Sequence, residues 1–373
     1  MISKLHFDRD KNNGNPLGAN LTKNYAYEVK ILFDEIESKA SIFEGFVQYG
    51  SKNRTDKMII NEDSIFIFCN RTNLIDLDGV FNNYKSIIYG QIIKALAFYM
   101  GTKKTAPNIK SIQISCKKNQ RLIASKKITS SHFQHKKFHT KFQGTFKSAS
   151  LRTIFEENKK GASILKTITY VLRSKTKEDV FDRFETLWKG YNGLYKEITQ
   201  ETNDHNCHVK LRAFILANPN ATLNTQKILS KLDSADLRSK IRWRDLILND
   251  FDTSKKAVAF KEFVCRYSDS RLLSVLNLVL NYRIEMLKNA VPPLDLVTQQ
   301  HITDCINANQ QCDSEIVAFL CIKYMYFVRN KSVHGERIDR IVGITNKETD
   351  EVTWLSNILE SLVVDLVNAQ ALY

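Results

Sequence analysis

Apolar residues recur every three to four positions through most of the second half of this chain, the spacing of helices with one buried face. Over residues 179–199 they are Val180, Phe181, Phe184, Leu187, Trp188, Tyr191, Leu194, Tyr195 and Ile198, a single broad stripe. Residues 270–289 repeat the device with Leu272, Leu273, Val275, Leu276, Leu278, Val279, Leu280 and Ile284, and Pro292-Pro293 then bars any extension. Leu355, Ile358, Leu359, Leu362, Val363, Leu366 and Ala369 predict a late helix over 354–372. A further helical run over 315–334 stops at Gly335, a residue suited to the left-handed position after a helix end. Asn218-Pro219-Asn220 marks a loop between long helices. From Ala149 onward the pattern predicts helix almost throughout.

The first half is mixed. The first 20 residues are polar, rich in Asn and Gly, and contain Pro16, which predicts a loosely held arm. Residues 24–38 suit a helix, with a strand from Tyr25 competing. Residues 58–61 and 64–69 predict short strands, and 84–100 predicts a helix through Ile87, Ile88, Ile92, Ile93, Leu96 and Tyr99. Residues 109–115 alternate Ile109, Ile112 and Ile114 imperfectly, as a half-buried strand does. The expected fold is therefore mainly α: a smaller basic α/β (α+β) domain over 1–148, then an all-helical domain over 149–373.

At 373 residues, 43% apolar and 25% charged, the chain has the composition of a globular protein of two domains. No apolar run reaches the length of a membrane span, and the amino-terminal stretch lacks the apolar core of a secretory signal. Seven scattered cysteines, an odd number with no C-x-x-C pair, argue against a disulfide framework. A cytoplasmic location is the expectation. The net charge of +15 is concentrated: residues 79–155 hold fifteen Lys and Arg and no Asp or Glu, while bases and acids balance elsewhere.

The stretch Arg329-Asn330-Lys331-Ser332-Val333-His334 carries the clearest chemistry. Guanidinium is a permanent planar cation that clamps phosphate oxygens, and imidazole moves protons near neutral pH. Asn330 and His334 lie four apart on one helix face, with Arg329 flanking it. An ordinary helix end, where Arg and His offset the dipole, has the same composition. With the preceding Tyr324-Met325-Tyr326-Phe327-Val328 and the following Gly335-Glu336, however, the stretch resembles the signature of the HEPN superfamily, an all-helical fold carrying Arg, a polar residue, three or more others, then His. Phe184, Trp188, Tyr191, Asn192 and Tyr195 resemble an early helix of several bacterial members. The resemblance covers roughly the last 200 residues.

That resemblance implies an HEPN-like helical bundle and a metal-independent endoribonuclease needing no cofactor. In it a ribose 2′-hydroxyl attacks the adjacent phosphorus, leaving a 2′,3′-cyclic phosphate and a 5′-hydroxyl. His334 would move a proton, Arg329 would hold the phosphate, and Asn330 would orient the histidine or donate to phosphate. It further implies a homodimer with a composite site, and a role in anti-phage defence, abortive infection or growth-arresting toxicity. A non-catalytic RNA-binding or adaptor protein that uses the fold to dimerise is the alternative. A nucleotide-transferring enzyme is disfavoured by the lack of a Gly-Ser and paired-carboxylate signature.

Within the basic segment, Lys117, Lys118, Arg121, Lys126, Lys127, Lys136, Lys137 and Lys141 are candidate RNA-binding residues, interleaved with Phe133, Phe138, Phe142 and Phe146 as stacking surfaces. A solvated basic face whose phenylalanines are core, or a surface for an acidic partner, fits the same pattern. His132, His135 and His139 would align on a helix as metal ligands, but no acid or cysteine supports them and lysines surround them, so no metal site is assigned. Asp204, His205, Cys207 and His208 suit a polar loop, and Asn192 either lines the same cleft, bonds a helix neighbour or faces water.

Overall fold

The computed structural model describes residues 24–333 and 346–373, apart from 35, 37, 84 and 133–136. Four strands come first: β1 (Tyr25–Phe33), β2 (Ser41–Tyr49), β3 (Ser51–Asn61) and β4 (Ser64–Arg71). A short α1 (Gly79–Asn82) and the long α2 (Ile87–Lys103) precede β5 (Ile109–Lys118) and β6 (Arg121–Thr129). The strands form one antiparallel sheet in the order β2-β3-β4-β1-β5-β6. Tyr25 begins a strand and not a helix: Tyr27, Val29, Ile31 and Phe33 are buried at period two. Val29 pairs with Ile67 of β4 and Ile114 of β5, so the register puts buried aliphatics side by side. α2 starts where the Ser86 hydroxyl accepts from the Tyr89 amide, and it packs on this inner face. The Phe43 ring sits 5.3 Å from Phe98 of α2 and 4.7 Å from Phe155.

The rest is helical. After α3 (Ser148–Leu151) come α4 (Lys159–Lys175) and α5 (Val180–Thr199), an antiparallel pair whose close approach depends on Gly190. A Cβ there would lie 3.0 Å from Tyr170 and 3.3 Å from the Thr167 carbonyl oxygen. The Asp179 carboxylate caps α5 through the amides of Phe181 and Asp182. α6 (Asp204–Ala217) follows, capped by Asn203, and the Asp204–His208 cluster is thus the first turn of a helix instead of a loop. Shorter helices α7 (Leu223–Leu229), α8 (Ser234–Lys240), α9 (Trp243–Asp250) and α10 (Ala257–Cys265) lead to α11 (Ser270–Leu280). The helix expected over 270–289 breaks after Leu280 and resumes as α12 (Ile284–Lys288), since Tyr282 and Arg283 close a turn. α13 (Asp295–Ala308) comes next, then α14 (Asp313–Ala318), a π-helical segment Phe319–Tyr324, and α15 (Met325–Val333). α16 (Lys347–Asn368) starts earlier than its apolar stripe, because the Asn346 side chain caps it.

The protein is thus mainly helical with an antiparallel sheet on its amino-terminal side. Polar contacts tie the helices to one another and join them to the sheet part. Glu360 of α16 accepts from Lys175 Nζ, from Arg183 Nη2 at 3.1 Å and from the Gln143 amide at 2.9 Å. Lys94 of α2 meets Glu157 at 2.6 Å. All seven cysteines are free thiols. Among the described residues no helix is long and apolar enough to cross a membrane.

Candidate functional site

The helix bearing the Arg-Asn pair is anchored by rings on its buried side. Phe319 stacks on Trp243 with centroids 4.9 Å apart, and Tyr324 stacks on Phe319 and Phe327. The Tyr324 hydroxyl donates a short hydrogen bond to Glu351 of α16 and accepts from the Arg242 amide at 2.9 Å. Burial pushes Glu351 above the usual carboxylate range, against the pull of the neighbouring Arg242. The helix end is thereby held on both sides, by α9 and by α16. A π-helical turn inside it rotates the side chains that follow.

The other side of this helix meets the aromatic ladder of α5. Trp188, Tyr191 and Tyr195 stand edge to face along α5, and Trp188 lies 6.2 Å from Tyr326. Two stretches separated by more than a hundred residues in sequence therefore touch three residues before Arg329. Arg329 is half-buried and donates from Nη1 to Asn330 Oδ1 at 3.0 Å. His334 lies outside the described residues.

Asn330 faces a cavity of about 900 Å³ between α6, α10 and the Arg-Asn helix. α6 supplies His205, His208 and Arg212, the end of α10 supplies Arg266, and the helix itself adds Lys323, Tyr326 and Lys331. Asp250 is the one acid among the described lining residues, and it is paired with Lys323 at 2.5 Å. His208 is wedged edge to face between Tyr195 and Tyr326, at 5.5 and 4.8 Å. Its Nε2 is buried and lacks a hydrogen-bond partner among the described residues. Burial lowers its pKa below the ordinary value, so the ring is neutral at pH 7. Arg212 donates to the Arg266 carbonyl at 2.6 Å and lies over the Tyr267 ring. The result is a basic, aromatic-walled cleft, suited to an anion that carries flat apolar groups. Asn192 is half-buried on α5 and does not line it.

Sequence reasoning named Asn330 but missed the α6 and α10 residues. Their signal was present: His205, His208 and Arg212 fall at i, i+3 and i+7, one helix face. It was hidden by reading Asp204–His208 as a loop.

The basic segment is dispersed by the fold. Lys126 pairs with Asp78 at 2.5 Å and Lys117 with Glu28 at 3.3 Å, while Lys118 lies over the Tyr25 ring. Lys103 and Lys110 are answered by Glu62 and Asp34. Arg121 and Lys127 are exposed on β6, and Lys137 and Lys141 on the connection to the helices. Lys136 and Phe133 lie outside the described residues. Phe146 is buried, and Phe138 and Phe142 contact each other and pack against the core, so these rings are structural and not stacking surfaces. The helix that would align His132, His135 and His139 is not formed at 137–139, where His139 instead faces Glu178 at 3.5 Å.

No family model, curated protein or solved structure matches this chain.

Proposed function

We propose that this protein is an endoribonuclease of the HEPN type, with Arg329, Asn330 and His334 at its centre. The observation that carries the proposal is that Asn330 opens onto a basic, aromatic-walled cleft, with Arg329 hydrogen-bonded to its side chain from outside the lining. Asn330, Arg212, Arg266 and Lys331 converge on a volume that suits a nucleotide. In the proposed step a 2′-hydroxyl loses its proton and its oxygen bonds to the adjacent phosphorus. The bond from phosphorus to the 5′-oxygen breaks, and that oxygen takes up a proton. His334 transfers a proton and Arg329 stabilises charge on the phosphoryl oxygens. No metal is required for this chemistry.

One Arg and one His per chain are few for such a step, and a second copy facing the first is the natural supplement. Growth arrest, in defence or as a toxin, is the biological role that RNA cleavage of this type would serve. Incubation with total RNA in EDTA, followed by mapping of the ends, tests the proposal. Cyclic phosphate and 5′-hydroxyl ends support it. Binding without cleavage of any RNA favours the non-catalytic RNA-binding or adaptor protein.

A further inference from the structure

The sheet has two faces, and α2 packs on one of them. The strand registers show what the other presents. One row runs Glu44, Ile59, Phe66, Lys30, Gln113, Lys127 from β2 across β3, β4, β1 and β5 to β6. The next runs Phe46, Lys57, Phe68, Glu28 from β2 across β3 and β4 to β1. On β1 to β5 these positions alternate with buried ones, and Lys127 is paired with Gln113, so they share the outer face. Phe46 is 72% exposed and Phe68 is 37% exposed, large values for phenylalanines on regular strands. Phe66 and Phe68 are two residues apart on one strand, with their rings 6.5 Å apart and within 9° of parallel.

Cations interleave these rings. Lys30 Nζ stands 5.7 Å from the Phe66 centroid. Lys57 is held beside Phe46 and Phe68 by Glu44, at 2.8 Å. The two carboxylates of this face, Glu44 and Glu28, are each answered by a lysine, Lys57 and Lys117. Lys30 and Lys127 remain as excess positive charge. A surface built to bury another protein would gather its apolar groups into one patch. Here Lys57 beside Phe68 and Lys30 beside Phe66 interrupt the rings and Ile59, which matches a chain of flat bases on a phosphate backbone.

We propose that the outer face of this sheet is a stacking platform for single-stranded RNA, with Phe46, Phe66 and Phe68 contacting bases and Lys30, Lys57 and Lys127 contacting phosphates. Paired bases are excluded, because a duplex hides the faces that the rings engage. The choice of RNA over single-stranded DNA rests on the ribonuclease proposal; the platform itself does not.

The test uses the full chain carrying His334→Ala, to prevent turnover, and fluorescence anisotropy of labelled 12-nucleotide U12, dT12 and a 12-base-pair RNA duplex. The platform predicts that U12 binds more tightly than the duplex, and that Phe46→Ala with Phe68→Ala weakens U12 at least about tenfold. Phe46→Tyr with Phe68→Tyr should keep most of the affinity, and Lys30→Gln with Lys127→Gln should flatten the salt dependence by about two units of slope. Phe46 is largely exposed and Phe68 only partly, so the alanine variant should stay folded with a small fall in melting temperature that comes from Phe68. Unchanged U12 affinity in the alanine variant overturns the platform. So does a change in sedimentation in place of a change in affinity, because a second copy then covers this face. If dT12 binds through the same phenylalanines and wild-type protein cleaves no RNA, the ribonuclease proposal fails and the platform stands. If RNA is cleaved and the phenylalanine variants bind normally, only the platform fails.

Discussion

Replacing Glu360 with leucine would strand two buried cations at once. Glu360 and Lys175 are both fully buried, and Arg183 is nearly so. Lys175 Nζ has the Lys141 carbonyl at 2.7 Å as its other hydrogen-bond acceptor, and Arg183 has Asn357 at 3.0 Å. Removing one partner of a buried ion pair costs about 3–5 kcal/mol, a large share of a total stability of about 5–15 kcal/mol. For a chain of this size that corresponds to a fall in Tm of roughly 4–6 °C. Lys175→Met should cost less, because Glu360 keeps Arg183 and the Gln143 amide. The double variant should be more stable than Glu360→Leu alone, since it no longer buries an unpaired ammonium. Burial already pushes Lys175 down to about 8, against the pull of Glu360. The unfolded chain therefore holds this proton to higher pH than the native one, and the group's contribution to stability rises with pH from about 8 towards its unfolded pKa of about 10.5. In Glu360→Leu the gain should begin at lower pH. Urea and thermal unfolding followed by circular dichroism measure all of this. A cost below about 1 kcal/mol for Glu360→Leu, or strict additivity in the double variant, would refute the reasoning.

Four further outcomes are expected. Asn330→Ala should reduce cleavage less than Arg329→Ala, and Arg212→Ala should raise KM more than it lowers kcat, both read from initial rates on a fluorogenic RNA. In salt titrations of RNA binding, Lys127→Gln should lower the slope by about one unit and Lys126→Gln by less, because Asp78 already holds Lys126. His208 is buried neutral with a lowered pKa, so the unfolded chain binds its proton first as pH falls. Its contribution is present above the unfolded value of about 6.5 and is lost as pH drops below it, and His208→Gln should flatten the urea midpoint between pH 5 and 7.

Helices with a long apolar stripe were legible because burial imposes the period directly. Val180–Thr199 is the case in point: its stripe, its Asp179 cap and its contact with the Arg-Asn helix all follow from side chains. The strands were less so. β6 is an edge strand, exposed along most of its length, and its lysines mask the period of two. β2 hides its alternation behind Glu44 and Phe46, which belong to the outer face. The site divided along the same line. Arg329 and Asn330 announce themselves as a motif, whereas Arg212 and Arg266 are ordinary surface residues in sequence and meet only because α6 and α10 are folded together. The concentration of positive charge in 79–155 was equally plain, but its meaning was not, since partners from outside the segment neutralise Lys94, Lys103 and Lys126.

The central claim is that the Arg-Asn helix cleaves RNA through 2′-hydroxyl attack. It is tested most directly with two synthetic RNAs of one sequence, the second carrying 2′-deoxy sugars throughout, incubated in EDTA with wild-type protein and with folded Arg329→Ala and His334→Ala variants. The account predicts cleavage of the first RNA by the wild type alone, with cyclic phosphate ends, and no cleavage of the second. Cleavage of the deoxy-substituted strand, or near wild-type rates in either variant, would contradict it.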